Sequence, residues 1–184
     1  ITCVGDERNY SFVPSRRGDT TADRVSIHVL KHHAPEFKRY SFLDRGSDER
    51  QYCSPGVDLP VVSIMRSKYR DYPEYHTSKD NLSLITPGGL GGAFDVLCKC
   101  ITALERNHHY VATVNCEPQL GKRGLFPAIS IKGSTSQVMD MMNLLAYCDG
   151  RHDLIDIADI AKVPVWRFYD IIDKLAAAGL IITA

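Results

Sequence analysis

Residues 154–182, LIDIADIAKVPVWRFYDIIDKLAAAGLII, carry the most legible structural signal in the chain. Leu154, Ile157, Ala158 and Ala161 fall on one helical face, at the spacing of about 3.6 residues per turn. Pro164 suits the first turn of a new helix, where the N–H it lacks would go unused. Val165, Phe168, Ile171, Ile172 and Leu175 form the apolar face of that helix, and Gly179 supplies its stop. Leu180-Ile181-Ile182 then reads as a short terminal strand.

Immediately upstream, Val138, Met141, Met142 and Leu145 mark an earlier helical face that ends near Asp149-Gly150. Helix, helix, short turn, helix, then strand is the sequence shape of a winged-helix domain, placed here at residues 134–184. The shape invites a nucleic-acid reading, and charge opposes it. Residues 134–184 hold four basic side chains against seven acidic ones, a net of −3. Arg167 and Lys174 on the expected recognition helix are offset by Asp170 and Asp173, leaving no surplus to neutralise phosphates. A structural or self-association role is the expectation. Trp166, Phe168 and Tyr169 are its candidate contact residues and a homodimer its expected form, since aromatics are enriched at interfaces.

Residues 108–133 read as an irregular connector. Before it, Gly88-Gly89 opens a helix whose Leu90, Phe94, Leu97, Ile101 and Leu104 keep a strong helical period. Further towards the N-terminus, Ile1 to Val4 reads as a buried strand closed by Gly5-Asp6, and Tyr10 to Val13 as another. Thr20 is placed to cap a helix, with Asp23 completing a capping-box pattern; Ala22, Val25, Val29 and Leu30 are its apolar face and Ala34-Pro35 its end. Arg39 to Leu43 and Val61 to Met65 read as further strands. Strands alternating with helices predict an α/β domain with a mostly parallel sheet over residues 1–107.

At 184 residues and 44% apolar composition, the chain can bury a real core. Its 22 basic and 22 acidic side chains cancel, so no global field points to nucleic acid or an anionic membrane. The apolar runs fall short of a membrane span. None of the six cysteines forms a C-x-x-C pair. Cys98 and Cys100 face apart on a helix, so a structural zinc site is excluded by spacing and reduced thiols in a cytoplasmic protein are expected. The opening residues, Ile1-Thr2-Cys3-Val4, read as a fragment cut inside a fold.

The chemistry is concentrated between Asp44 and Ile85. Polar, tyrosine-rich sequence after Met65 has little periodicity, and long loaded loops are more often functional than structural. In order come Gly46-Ser47-Asp48-Glu49, Gly56-Val57-Asp58-Leu59-Pro60 and Tyr75-His76-Thr77-Ser78-Lys79-Asp80-Asn81. This order resembles the clan of zinc aminopeptidases, which also contains the glutaminyl cyclases: Ser-Asp in a loop, Gly-x-Pro before a buried strand, then His-Thr-x-x-Asp. Here the Gly-x-Pro element is spread over Gly56 to Pro60, and Glu49 stands where the clan has His. The chain is similar over nearly its whole length to a bacterial aminopeptidase-like family that ends in a winged-helix domain. Thr2 to Asp6, Pro14 to Gly18 and Glu117 to Leu125 share in that likeness.

The resemblance implies His76 and Asp6 as ligands of one or two zinc ions. Asp6 at the carboxyl end of a strand is apt for such a site, and an imidazole with a carboxylate suits zinc. Asp48 is expected to orient a ligand or the substrate amine, with Glu49 and Arg16 as further candidates near the substrate. In the clan a further His, a bridging Asp and the general-base Glu precede the segment that begins at Ile1. No catalytic residue is therefore expected within this chain, and the N-terminal half of the domain is its expected partner. The implied activity is hydrolysis of small amides or peptides that carry a free amine, with this fragment inactive alone. The competing reading is a non-catalytic scaffold whose winged helix binds a protein.

Plainer readings stand beside these. Cys53 reads as a small buried hydrophobe. Arg16-Arg17 in a Gly-Asp turn could clamp a carboxylate, but such pairs are more often solvated. His32-His33 and His108-His109 are adjacent pairs that cannot share a metal from one regular face, and both read as surface.

Overall fold

Helix α1 (Thr21–His33) begins where the capping pattern puts it. The Thr20 hydroxyl accepts the Asp23 amide, and the Asp23 carboxylate accepts the Thr20 amide and hydroxyl. Asp23 also receives the Ser15 amide and hydroxyl, so a fully buried carboxylate is completely bonded. Val25, Val29 and Leu30 bury on the expected face.

The computed structural model describes residues 2–125 and 134–184, in two units, Ile1–Leu104 and Glu105–Ala184. In the first unit, strand β1 (Ser11–Val13) is the centre of a three-stranded sheet. It pairs in parallel with β2 (Lys38–Arg39) and antiparallel with β3 (Ser63–Met65). The mostly parallel sheet expected from the strand–helix alternation is therefore not the fold: this sheet is mixed, and the sheet of the second unit is antiparallel. Connection length explains the difference. A parallel pair needs a crossover of roughly a dozen residues, usually a helix, and α1 supplies one between β1 and β2. Between β2 and β3 lie only a 3-10 turn (Phe42–Asp44) and the one-turn helix α2 (Glu49–Tyr52) in an otherwise irregular path, and β3 returns antiparallel.

The strand expected at Ile1 to Val4 is also absent from the described residues 2–4. Cys3 has a left-handed φ of 52°, and the segment is tied to β3 through the Arg66 amide on the Cys3 carbonyl. The strand expected over Arg39 to Leu43 gives way to the 3-10 turn after Arg39.

Helix α3 (Pro87–Arg106) has the expected length, but the face it buries is Gly89, Ala93, Val96, Cys100 and Ala103. Leu90, Phe94, Ile101 and Leu104 are exposed at 47%, 70%, 60% and 43%. Close approach is the reason: a Cβ on Gly89 would lie 2.0 Å from the Gly5 carbonyl oxygen. No residue with a side chain fits there without a shift.

In the second unit, β4 (His109–Ala112) lies between β5 (Asp149–Asp153) and β6 (Ile181–Thr183), antiparallel to both. Residues 126–133 of the expected connector lie outside the described residues, but its first residues form β4. Helices α4 (Ser134–Ala146), α5 (Leu154–Ala161) and α6 (Tyr169–Ala177) follow in the predicted order. Asp153 caps α5 in another capping box and also accepts the Asn107 amide group, whose carbonyl takes the Ile155 amide. Pro164 precedes a 3-10 turn (Val165–Arg167) that leads into α6. Val165, Phe168, Ile171, Ile172 and Leu175 are all buried. Phe168 is thus core, which removes it from the expected contact residues, and Tyr169 lies beneath the Arg106 guanidinium at 4.8 Å. Among the described residues no helix is long and apolar enough to cross a membrane.

Candidate functional site

Asp6 follows an irregular segment that the start of α3 holds in place, since the Thr86 amide donates to the Gly5 carbonyl. Its side chain is 6% exposed. One carboxylate oxygen accepts the Arg8 amide at 2.9 Å and the Ser67 hydroxyl at 2.8 Å; the other accepts the Ser67 amide at 2.9 Å. The Arg66 side chain donates to the Asp6 carbonyl at 2.8 Å, and its guanidinium carbon lies over the Tyr10 ring, 3.9 Å from its centroid. A carboxylate has about four acceptor positions, so one remains on the oxygen that takes the Ser67 amide.

The stretch after β3 supplies the facing wall. Tyr75 and His76 stack with ring centroids 4.1 Å apart, Tyr72 meets Tyr75 edge-on at 5.6 Å, and His76 has a left-handed φ of 58°. That backbone is uncommon for a residue with a side chain and is often found at functional sites. The Tyr72 hydroxyl reaches Asp80 at 3.4 Å and the Cys3 sulfur at 3.8 Å, and burial pushes its ionisation above the ordinary range. Asp6, Tyr72, Tyr75, His76 and Asp80 line one cleft of about 470 Å³, together with the apolar Leu84, Ile85 and Leu90. The two residues singled out as metal ligands therefore share a cavity.

The other three candidates do not line it. Asp48 is exposed at the start of α2 and makes no capping hydrogen bond. Glu49 is 1% exposed and accepts the Gly46 amide at 2.7 Å, the Ser47 amide at 3.0 Å, the Tyr69 hydroxyl at 2.7 Å and the Ser63 hydroxyl at 3.3 Å. Burial pushes its carboxyl up, but these donors outweigh burial and hold it below the ordinary value. Glu49 is a structural knot for its loop. Arg16 makes a two-pronged ion pair with Asp58 at 2.8 Å, which holds the Asp58 carboxyl low.

Cys53 is buried as expected, its thiol directed at the Leu59 and Val61 carbonyls, and all six cysteines are free. Burial pushes the Cys100 and Cys148 thiols up to about 12, which makes both poor nucleophiles. His108 and His109 are exposed, but His32 and His33 are half-buried. His33 lies 3.1 Å from Lys99 and 3.3 Å from the Tyr10 hydroxyl, and burial, then the Lys99 charge, lower its pKa. Ser67 and Tyr72 were not anticipated from the sequence. A serine and one of nine tyrosines carry no periodic or spacing signal of their own.

A polypeptide from Clostridium acetobutylicum, named as a candidate polysaccharide biosynthesis protein with an aminopeptidase-like domain, is 39% identical over 161 residues. That match covers 85% of this chain and 36% of the relative, so the chain spans little more than a third of that protein. A crystal structure of a candidate peptidase from the same organism superposes with a TM-score of 0.86 at 34% identity, over 98% of this chain and 40% of that one. By the family its sequence matches, this chain belongs over residues 1–107 to the group described as a domain of unknown function (DUF4910), continued over residues 108–183 by a winged helix-turn-helix domain.

Proposed function

We propose that the chain forms part of a zinc-dependent aminopeptidase-like hydrolase of small amides or peptides, with Asp6 and His76 as two of the metal ligands. The observation that carries the reading is that these two residues, far apart in sequence, line one cleft. Likeness to proteins named for peptidase or aminopeptidase character supports the same class.

The donor set fits zinc. One carboxylate oxygen of Asp6 keeps an acceptor position, and His76 offers an imidazole nitrogen; both are ordinary zinc ligands. Ser67 and the Arg8 amide hold the Asp6 carboxylate in a single orientation before any metal arrives, which lowers the ordering cost of binding. Tyr75 restricts the His76 ring by stacking, and Tyr72 holds Asp80 at the same rim. Leu84, Ile85 and Leu90 line one side of the cleft and offer an apolar surface to a substrate side chain. Held in part by Asp6 and His76, a zinc ion would supply a Lewis acid for a substrate carbonyl and would lower the pKa of a bound water. A catalytic zinc needs about three protein ligands, so this chain supplies the centre only in part.

Elemental analysis of this chain and of a form extended to the relatives' length, each with and without His76→Ala, tests the reading. The expected result is stoichiometric zinc in the extended protein and its loss in the variant. Zinc-free extended protein after reconstitution would overturn it.

A further inference from the structure

A second cleft of about 450 Å³ adjoins the first, and its chemistry is opposite. The two share Tyr72, and Asp6 on the wall of one is bonded to Arg8 and Ser67 on the wall of the other. Lys68 lies in this second cleft with its side chain only 6% exposed. An ammonium has three N–H donors. That of Lys68 donates to the Tyr69 carbonyl at 3.1 Å and sits 3.9 Å from Asp71, an ion pair too long for a hydrogen bond. The Tyr69 and Tyr40 rings lie at 4.5 and 5.1 Å from it, so aromatic faces offset its desolvation without meeting its donors. A buried ammonium that keeps spare donors, on a residue that lines a cavity, is a candidate site for an acceptor.

Charge selects the acceptor. Arg8 is occupied by a two-pronged pair with Glu74, at 2.9 and 2.7 Å. Lys38 lines the same cleft, is exposed, and makes no ion pair among the described residues. Asp71 offsets one of the two lysines, which leaves a surplus of about one positive charge. That balance suits the single charge of a carboxylate better than the nearly doubled charge of a phosphate.

We infer that Lys68 and Lys38, on the wall of this cleft, hold a carboxylate of the substrate, so that the amide acted on in the neighbouring cleft belongs to a molecule with a free acid group. The substrate class narrows to small acidic amides or short peptides with a nearby carboxylate. The assignment rests on the hydrolase reading only for the word substrate; the anion site itself is independent of metal.

The test is a titration of the isotopically labelled, metal-free chain with acetate and, separately, with inorganic phosphate, followed at the backbone amides of residues 67–71. Acetate should give saturable shifts, weakened at least tenfold by Lys68→Met, severalfold by exposed Lys38→Ser, and unchanged by His76→Ala. No saturable acetate response would overturn the inference. Tighter phosphate than acetate binding, or an undiminished response in Lys38→Ser and in a folded Lys68→Met, would overturn it too. Because zinc is absent throughout, failure here leaves the metal reading standing, and failure of the zinc analysis leaves this site standing.

Discussion

Helices α3 and α6 present equally regular apolar stripes in sequence, yet they bury opposite kinds of residue. In α6 and the 3-10 turn before it, the stripe is the core: Phe168 and Leu175 have no exposure, and Ile171 only 1%. In α3 the stripe of large residues faces outward, while Gly89, Ala93 and Ala103 pack inward. Periodicity identifies a helix and its faces; it does not decide which face a neighbour covers. Backbone proximity decides that in α3, because the first turn lies against Gly5 and Asp6.

The contrast can be broken most strongly at α6. Phe168→Ala removes a fully buried ring and should cost about 3–5 kcal/mol, read by denaturant unfolding. At α3 the sensitive position is a glycine. Gly89→Ala improves helix propensity, yet the collision with the Gly5 carbonyl should leave it about 1–3 kcal/mol less stable. A neutral or stabilising outcome would show that α3 is not pinned there.

Glu49 sharpens the contrast from a loop that periodicity cannot see. Its folded carboxyl titrates below the ordinary value of 4.5, so it contributes stability above that pH, and the contribution is lost as pH falls through the lower folded value. Thermal melts should therefore drop on acidification below about 4.5, and the drop should be smaller in Glu49→Gln. The smallest effect belongs to the outward stripe. Phe94→Ser in this chain should change stability by less than about 0.5 kcal/mol in the same denaturant assay. A large loss would show that the face is covered in solution.

Much of the secondary structure was legible because its causes are local. The Thr20–Asp23 box, the faces of α5 and α6, and the positions of β1 and β3 follow from capping chemistry and spacing. Strand direction was not legible, since β3 pairs antiparallel through a long irregular connection that no period records. Strands β4 and β5 were also missed. The second reads Asp-Gly-Arg-His-Asp, a polar run held by its ladder with β4. At the candidate site, His76 and Asp6 came from the resemblance to the zinc aminopeptidase clan, not from any local pattern of their own, and the strand expected before Asp6 is absent from the described residues. Asp48, Glu49 and Arg16 had equally suggestive neighbours, yet none of them lines the cleft.

The sequence alone thus determined the positions of the main helices, the Thr20 cap and the order of the C-terminal helices, because each depends on residues within a few positions of one another. Tertiary structure decided the rest. Which face of α3 is buried depends on Gly5, more than eighty positions before Gly89 in the chain. Ser67 became the residue that orients Asp6, and Lys68 came to lie beside it, only because the strand preceding them returns antiparallel alongside β1.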